Sequence, residues 1–192
     1  EGAFSQAFMP NLVKVSQKGL FCAEILIKLS LAMLGLSLIV MLFAPLVTKA
    51  LAFGFSPETI ALAVPLVRIN FWYLLAIFIV TLLSALLQYK NHFATTAFST
   101  ALLNISMITA LLLALNLDQK SAAMYLSWGV VAGGMLQVLS HIIALKKLNL
   151  LRLLNLGIVK FVKGKRAKAK GFWQNFGHGI IGSSANQLSD FI

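Results

Sequence analysis

Apolar residues run through this chain in blocks of membrane-spanning length, and the polar residues collect in the short gaps between them. From Lys28 to Lys49 twenty residues pass without a charge, enough for a helix to cross a hydrocarbon layer about 30 Å thick. The pattern predicts four complete spans, at about 19–48, 57–89, 95–115 and 121–145. A fifth begins near Phe172 and is still helical in pattern at Ile192. Ahead of the first span, Gly2 to Lys18 reads as a shorter helix with Pro10 inside it. The turn Gly54-Phe55-Ser56-Pro57 carries a full start signal for the second: Ser56 as cap, Pro57 at the first helical position and Glu58 in the first turn. Pro65 is expected to bend that helix. Gly129 and Gly133, with Gly134 beside them, let a neighbouring backbone approach the fourth span. Asn104 and Ser106, in the middle of the third, are expected to bond a neighbouring helix.

Charge orients these elements. Nine of the sixteen Lys and Arg residues fall between Lys146 and Lys170, with no carboxylate among them. Such a block between apolar spans marks a loop retained on the cytoplasmic side. By alternation Lys14, Lys18 and Lys90 share that side, while Lys49 with Glu58, and Asp118 with Lys120, form near-neutral pairs opposite. Within the block, Leu150 to Val162 mixes leucines with Arg152 and Lys160 and suits a segment on the membrane surface. The chain therefore divides into helices of one lobe (1–148), a basic linker (149–171) and the start of a further span (172–192). It begins on Glu1 without a methionine and stops inside a helical pattern, so a longer protein is expected.

Composition agrees with the pattern. Hydrophobic residues make up 59%, charged residues 11%, and the mean hydropathy is +0.89; a soluble domain needs roughly a quarter of its residues charged. The fold class is all-α, a polytopic transmembrane bundle. The net charge of +11 then points to anionic lipid headgroups and not to nucleic acid, since the block lacks interleaved aromatics. The single cysteine, Cys22, excludes an intrachain disulfide within this sequence. No phosphate loop, zinc motif or nucleophile–histidine–acid set is present, and five carboxylates leave little for acid–base chemistry. An enzyme is not expected, nor a bound cofactor. His92 reads as a solvated loop residue, His141 as interfacial, and Glu24 with Lys28 as a local i, i+4 pair. Arg68, beside Trp72 and Tyr73, either snorkels to the interface or faces a polar cavity. The last helix is rich in glycine and polar groups, among them Asn186 and Gln187, and its Asp190 would be costly in lipid without a function.

Three stretches resemble one family. Glu1-Gly2-Ala3-Phe4-Ser5-Gln6-Ala7-Phe8-Met9-Pro10 resembles the EGAFSQAFVP signature of the lipid II flippases (the MurJ or MviN family). Leu102-Leu103-Asn104-Ile105-Ser106-Met107-Ile108 is similar to that family's LLNISMI, and Gly133-Gly134-Met135-Leu136-Gln137 to its GGVLQ. The resemblance implies part of the N-terminal lobe of a fourteen-helix exporter fold in a bacterial inner membrane. Its implied substrate is lipid II, the undecaprenyl-diphosphate-linked peptidoglycan precursor, carried from inner to outer leaflet by alternating access. It implies that Glu1 borders the central cavity, and that Ser5 and Gln6 either meet the headgroup or pack. Arg68, Asn186 and Gln187 complete the candidate substrate contacts. Asp190 is the candidate ligand of a coupling sodium ion or proton. Gly177-His178-Gly179-Ile180-Ile181-Gly182 is similar to the family's GPAILG but has His178 where proline is usual, which alters the bend expected there. The alternatives are another exporter of the same superfamily, for a drug or a polysaccharide-lipid, and a membrane scaffold that transports nothing.

Overall fold

The computed structural model describes residues 2–189, and all regular structure among them is helical. In chain order the helices are α1 (Gly2–Lys14), α2 (Lys18–Leu42), α3 (Ala44–Leu51), α4 (Pro57–Tyr89), α5 (Ala94–Leu113), α6 (Gln119–Lys147), α7 (Leu150–Val162) and α8 (Lys170–Ser189). Four of them, α2, α4, α5 and α6, are long and apolar enough to cross a membrane. With 33 residues, α4 is roughly 50 Å long at 1.5 Å per residue. It exceeds a hydrocarbon layer, so part of it is available for packing beyond the lipid.

The apolar run at 19–48 is not one helix. At Phe43 the backbone leaves helical geometry while its N–H still bonds Ile39 O, and α3 restarts at Ala44 with Pro45 in its first turn. Proline has no N–H to continue α2 and is best tolerated at such a start. The start of α4 follows its sequence signal, with Ser56 Oγ accepting the Thr59 N–H at 3.3 Å. The fourth span begins earlier than its apolar pattern does. Asp118 caps it, one carboxylate oxygen accepting the N–H groups of Lys120 and Ser121 at 3.1 and 3.2 Å. The Ser121 side chain and N–H, with smaller help from the Lys120 N–H, hold the exposed Asp118 carboxyl below the usual aspartate range.

α6 is the element against which its neighbours pack, and its glycines show why. A methyl group on Gly129 would sit 2.5 Å from Ala110 Cβ of α5, and one on Gly133 2.8 Å from a Leu103 methyl. On the other flank a methyl on Gly134 would come within 2.7 Å of the Tyr73 ring and 3.0 Å of Ala76 Cβ, both on α4. Polar side chains pin the same contacts. Ser106 donates to Gly129 O at 2.7 Å, Gln137 Nε2 to Ser99 O at 2.9 Å, and Asn70 Nδ2 to Ser127 Oγ at 3.1 Å. Ser106 thus makes the interhelical bond expected in mid-α5; Asn104 is exposed.

The apolar core gathers at the lysine-rich end. Phe4, Phe8 and Leu12 of α1 meet Phe21 and Ile25 of α2, Leu82, Leu83, Leu86 and Leu87 of α4, Leu145 of α6, Leu154 of α7 and Phe172 of α8. Four rings, Phe4, Phe8, Phe21 and Phe172, stack or meet edge-on at centroid distances of 5.0 to 6.3 Å. At the far end the helices present their leucines and phenylalanines outward, as at Leu42, Leu46, Phe53, Leu113 and Leu115. A lipid-facing surface carries no penalty for this, because hydrocarbon is as apolar as leucine.

Candidate functional site

The basic linker is built into the end of the bundle. Asn149, with φ +58°, turns the chain sharply between α6 and α7, a conformation that asparagine tolerates better than most residues. α7 then folds back onto α2. The two helices cross backbone to backbone at Gly19 and Gly157: a Cβ on Gly157 would overlap the Gly19 carbonyl, and one on Gly19 the Leu153 carbonyl. Leu150, Leu154 and Gly157 are buried while Arg152, Leu156, Val159 and Lys160 are exposed. One face of α7 therefore packs on protein, beyond the surface-lying segment that its sequence suggests.

After α7 the linker is held by one buried carboxylate. Glu24 on α2 is only 2% exposed. Its Oε1 accepts Lys28 Nζ at 2.6 Å and its Oε2 accepts the backbone N–H of Ala167 at 2.7 Å. Lys28 Nζ also lies 5.8 Å from the centre of the Trp173 ring at the start of α8. The i, i+4 pair expected from the sequence is present, but it does more than neutralise itself. It ties the linker to α2 across 143 residues of sequence, and the sequence alone held no sign of the Ala167 contact.

Between this tie and the α1–α2 turn lies an open cleft of about 470 Å³, lined by Asn11, Lys14, Ser16, Gln17, Arg166 and Lys168 among others. Arg166 is fixed at its rim: Nη1 donates to Phe161 O at 3.0 Å and Lys165 O at 3.1 Å, and the guanidinium stacks 4.3 Å over the Phe161 ring. The Lys and Arg clustering was the available signal for this site. The reading that placed the cluster in a loop gave no reason to expect a concave wall.

The residues singled out from the sequence do not converge here. Ser5 is half-buried and Gln6 exposed on α1. Arg68 is exposed on α4, with no carboxylate in ion-pair range among the described residues. Phe78, which meets Phe4 at 5.8 Å, stands ten residues further along α4, roughly 15 Å of helix. Arg68 and Ser5 therefore occupy different levels of the bundle. Asn186 and Gln187 belong to the last turns of α8, and Glu1 and Asp190 lie outside the described residues.

His92 lies in the loop between α4 and α5, half-buried, and its Nε2 meets Thr95 Oγ1 at 2.8 Å as α5 begins. His141, near the lysine-rich end of α6, is 0% exposed and packs against α4. Its Nδ1 lies 2.8 Å from Gln137 O and its Nε2 2.8 Å from Ser84 Oγ. A carbonyl only accepts, so the Nδ1–H donates to Gln137 O, and in the neutral tautomer this leaves Nε2 to accept from the Ser84 hydroxyl. Glu24 and His141 are buried ionisable groups whose partners, Ala167 and Ser84, had no signal in the sequence.

Four apolar helices, three of them joined at the glycines of α6, closed at one end by a docked basic linker, define a multi-pass α-helical membrane protein. The sequence model of the family described as "Lipid II flippase MurJ" matches residues 1–192. The chain belongs to the MurJ family, multi-pass proteins of the bacterial inner membrane. It is 41% identical, along all of its length, to a Helicobacter pylori protein named "Probable lipid II flippase MurJ", of which the match covers 44%. It is 35% identical over 88% of its length to the Burkholderia cenocepacia "Lipid II flippase MurJ", covering 35% of that protein. A Buchnera aphidicola relative named "Probable lipid II flippase MurJ" is 33% identical over 98% of the chain and matched over 37% of its own length. The chain thus spans less than half the length of these relatives.

Proposed function

We propose that the protein moves lipid II, the undecaprenyl-diphosphate-linked peptidoglycan precursor, from the inner to the outer leaflet for cell-wall synthesis. The observation that carries this reading is the match of the whole chain to a family of lipid II flippases. The physical problem is the headgroup, whose charges and sugars cannot enter hydrocarbon unpaired without a cost of several kcal/mol. A polar cavity opened to one side and then the other removes that cost, while the polyprenyl tail stays in lipid. Glu1, Ser5, Gln6, Arg68, Asn186 and Gln187 are the proposed headgroup contacts on this chain, and Asp190 the proposed ligand of a coupling sodium ion or proton. The protein is a transporter and not an enzyme. It works without a bound organic cofactor, its other partners are membrane lipids with anionic headgroups, and it has no nucleic-acid partner.

Depleting the protein from living cells and measuring lipid II accessible at the outer leaflet tests this. The expected result is loss of outer-leaflet precursor with accumulation inside, restored by wild-type protein and not by a Glu1→Ala variant that inserts normally. Unchanged outer-leaflet lipid II after depletion contradicts the reading.

A further inference from the structure

We propose that the cleft between the α1–α2 turn and the linker is a binding site for a phosphate-ester anion. This goes beyond lipid II flipping and does not require it. The cleft's charge is one-sided: Lys14 stands on one wall and Arg166 and Lys168 on the other, and no carboxylate among the described residues lines it. Glu24, which holds Ala167 of the cleft wall, is buried with both oxygens engaged, by Lys28 Nζ and by the Ala167 N–H. It cannot compete for the three cations. Neutral donors are interleaved with them, since Ser16 and Gln17 share the lining, while Asn11 Nδ2 donates to Ala7 O at 2.8 Å.

The walls are held in place. Ala167 is tied to Glu24, its carbonyl accepts the Ala169 N–H at 2.9 Å, and Ala169 and Phe172 are buried. Arg166 uses one nitrogen to bond carbonyls and keeps its other N–H groups for a ligand. The α1 carbonyl end would repel an anion. Lys18 offsets it by donating to Val13 O and Val15 O at 3.3 and 3.1 Å. α8 starts at the cleft's edge, where Gly171 rests so close to Asn11 that a Cβ would lie 2.9 Å from its Oδ1. Its free N–H groups add to the positive potential. A phosphate with its attached alcohol group fits the cleft in size and in charge. The source is either a lipid headgroup or a soluble phosphate compound.

The test uses purified full-length protein in detergent, titrated separately with short-chain phosphatidic acid and with inorganic pyrophosphate. Lys14→Ala with Lys168→Ala is compared with Lys163→Ala with Lys165→Ala, which removes the same charge from exposed positions outside the cleft lining. With about 1 kcal/mol per basic residue, the first pair is expected to weaken binding roughly thirtyfold, while the second stays close to wild type. Lys14→Arg with Lys168→Arg is expected to retain binding. A selective loss for phosphatidic acid alone assigns the site to a lipid headgroup, and one that extends to pyrophosphate assigns it to phosphate as such. Equal losses in the two alanine pairs, or no loss for either probe, overturn the proposal.

Discussion

Replacing Gly157 by leucine is expected to lift α7 off α2 and loosen the whole linker. The added Cβ would meet the Gly19 carbonyl and the Leu20 nitrogen. These are backbone atoms of α2 that cannot rotate aside as a side chain would. Overpacking of this kind costs about 1–3 kcal/mol where the structure yields and more where it does not. Here the easiest relief is undocking, which would expose Leu150 and Leu154, now buried. Gly19→Leu should produce the same defect through the Leu153 carbonyl. The two changes together should cost less than their sum, because both destroy one contact. Gly35→Leu is the control, since nothing lies within 4 Å of its Cβ position. Thermal unfolding in detergent, with the rate of trypsin cleavage at Lys160 and Lys163, measures the effect. The expected outcome is a lower midpoint and faster cleavage for the two crossing variants only. Cleavage of Gly157→Leu at the wild-type rate would show that α7 is not held by this crossing.

The second large effect is expected at Glu24. Glu24→Ala leaves the Ala167 N–H without its acceptor and removes the partner of Lys28, a loss of about 1–3 kcal/mol from the unsatisfied donor. Lys28→Ala leaves a carboxylate that is 3% exposed without its counter-charge. A fully buried pair broken this way costs about 3–5 kcal/mol. The Lys28 side chain is 43% exposed, so solvent screening brings the expected loss to about 1–3 kcal/mol. Glu24→Gln keeps an acceptor for Ala167 and should be the mildest of the three. Trypsin cleavage after Arg166 and Lys168 is the direct readout, and Glu24→Ala should speed it most. If Glu24→Ala and Glu24→Gln behave alike, the Ala167 bond contributes nothing and the carboxylate acts only through Lys28.

These effects separate what the sequence could convey from what it could not. Charge-free runs of about twenty residues betray a span because hydrocarbon excludes charge, and the cap at Ser56-Pro57-Glu58 is local chemistry. The packing of Gly129 and Gly133 was legible as well, since small residues four apart share one helix face and let a neighbouring backbone approach. Faces were not legible. In α2, α4 and α6 apolar residues occupy the sides that meet protein and the sides that meet lipid alike, so periodicity does not distinguish them. For this reason the partners of His141 and Glu24 were not foreseen, each being buried against a residue distant in sequence. The break before Pro45 was hidden because the residues on both sides are equally hydrophobic. The candidate substrate residues were chosen one by one for polarity and resemblance, and polarity carries no information about convergence. Arg68 and Ser5 duly sit at different levels of the bundle.

The direction of transport depends on which compartment receives the lysine-rich end. Arg166→Cys in otherwise unaltered protein, treated in intact cells with a membrane-impermeant maleimide, tests this with little background from this chain, whose single native cysteine, Cys22, is buried. No labelling before permeabilisation and full labelling after it is the predicted result. Labelling from outside while the cells remain sealed would invert the topology and, with it, the direction of transport proposed above.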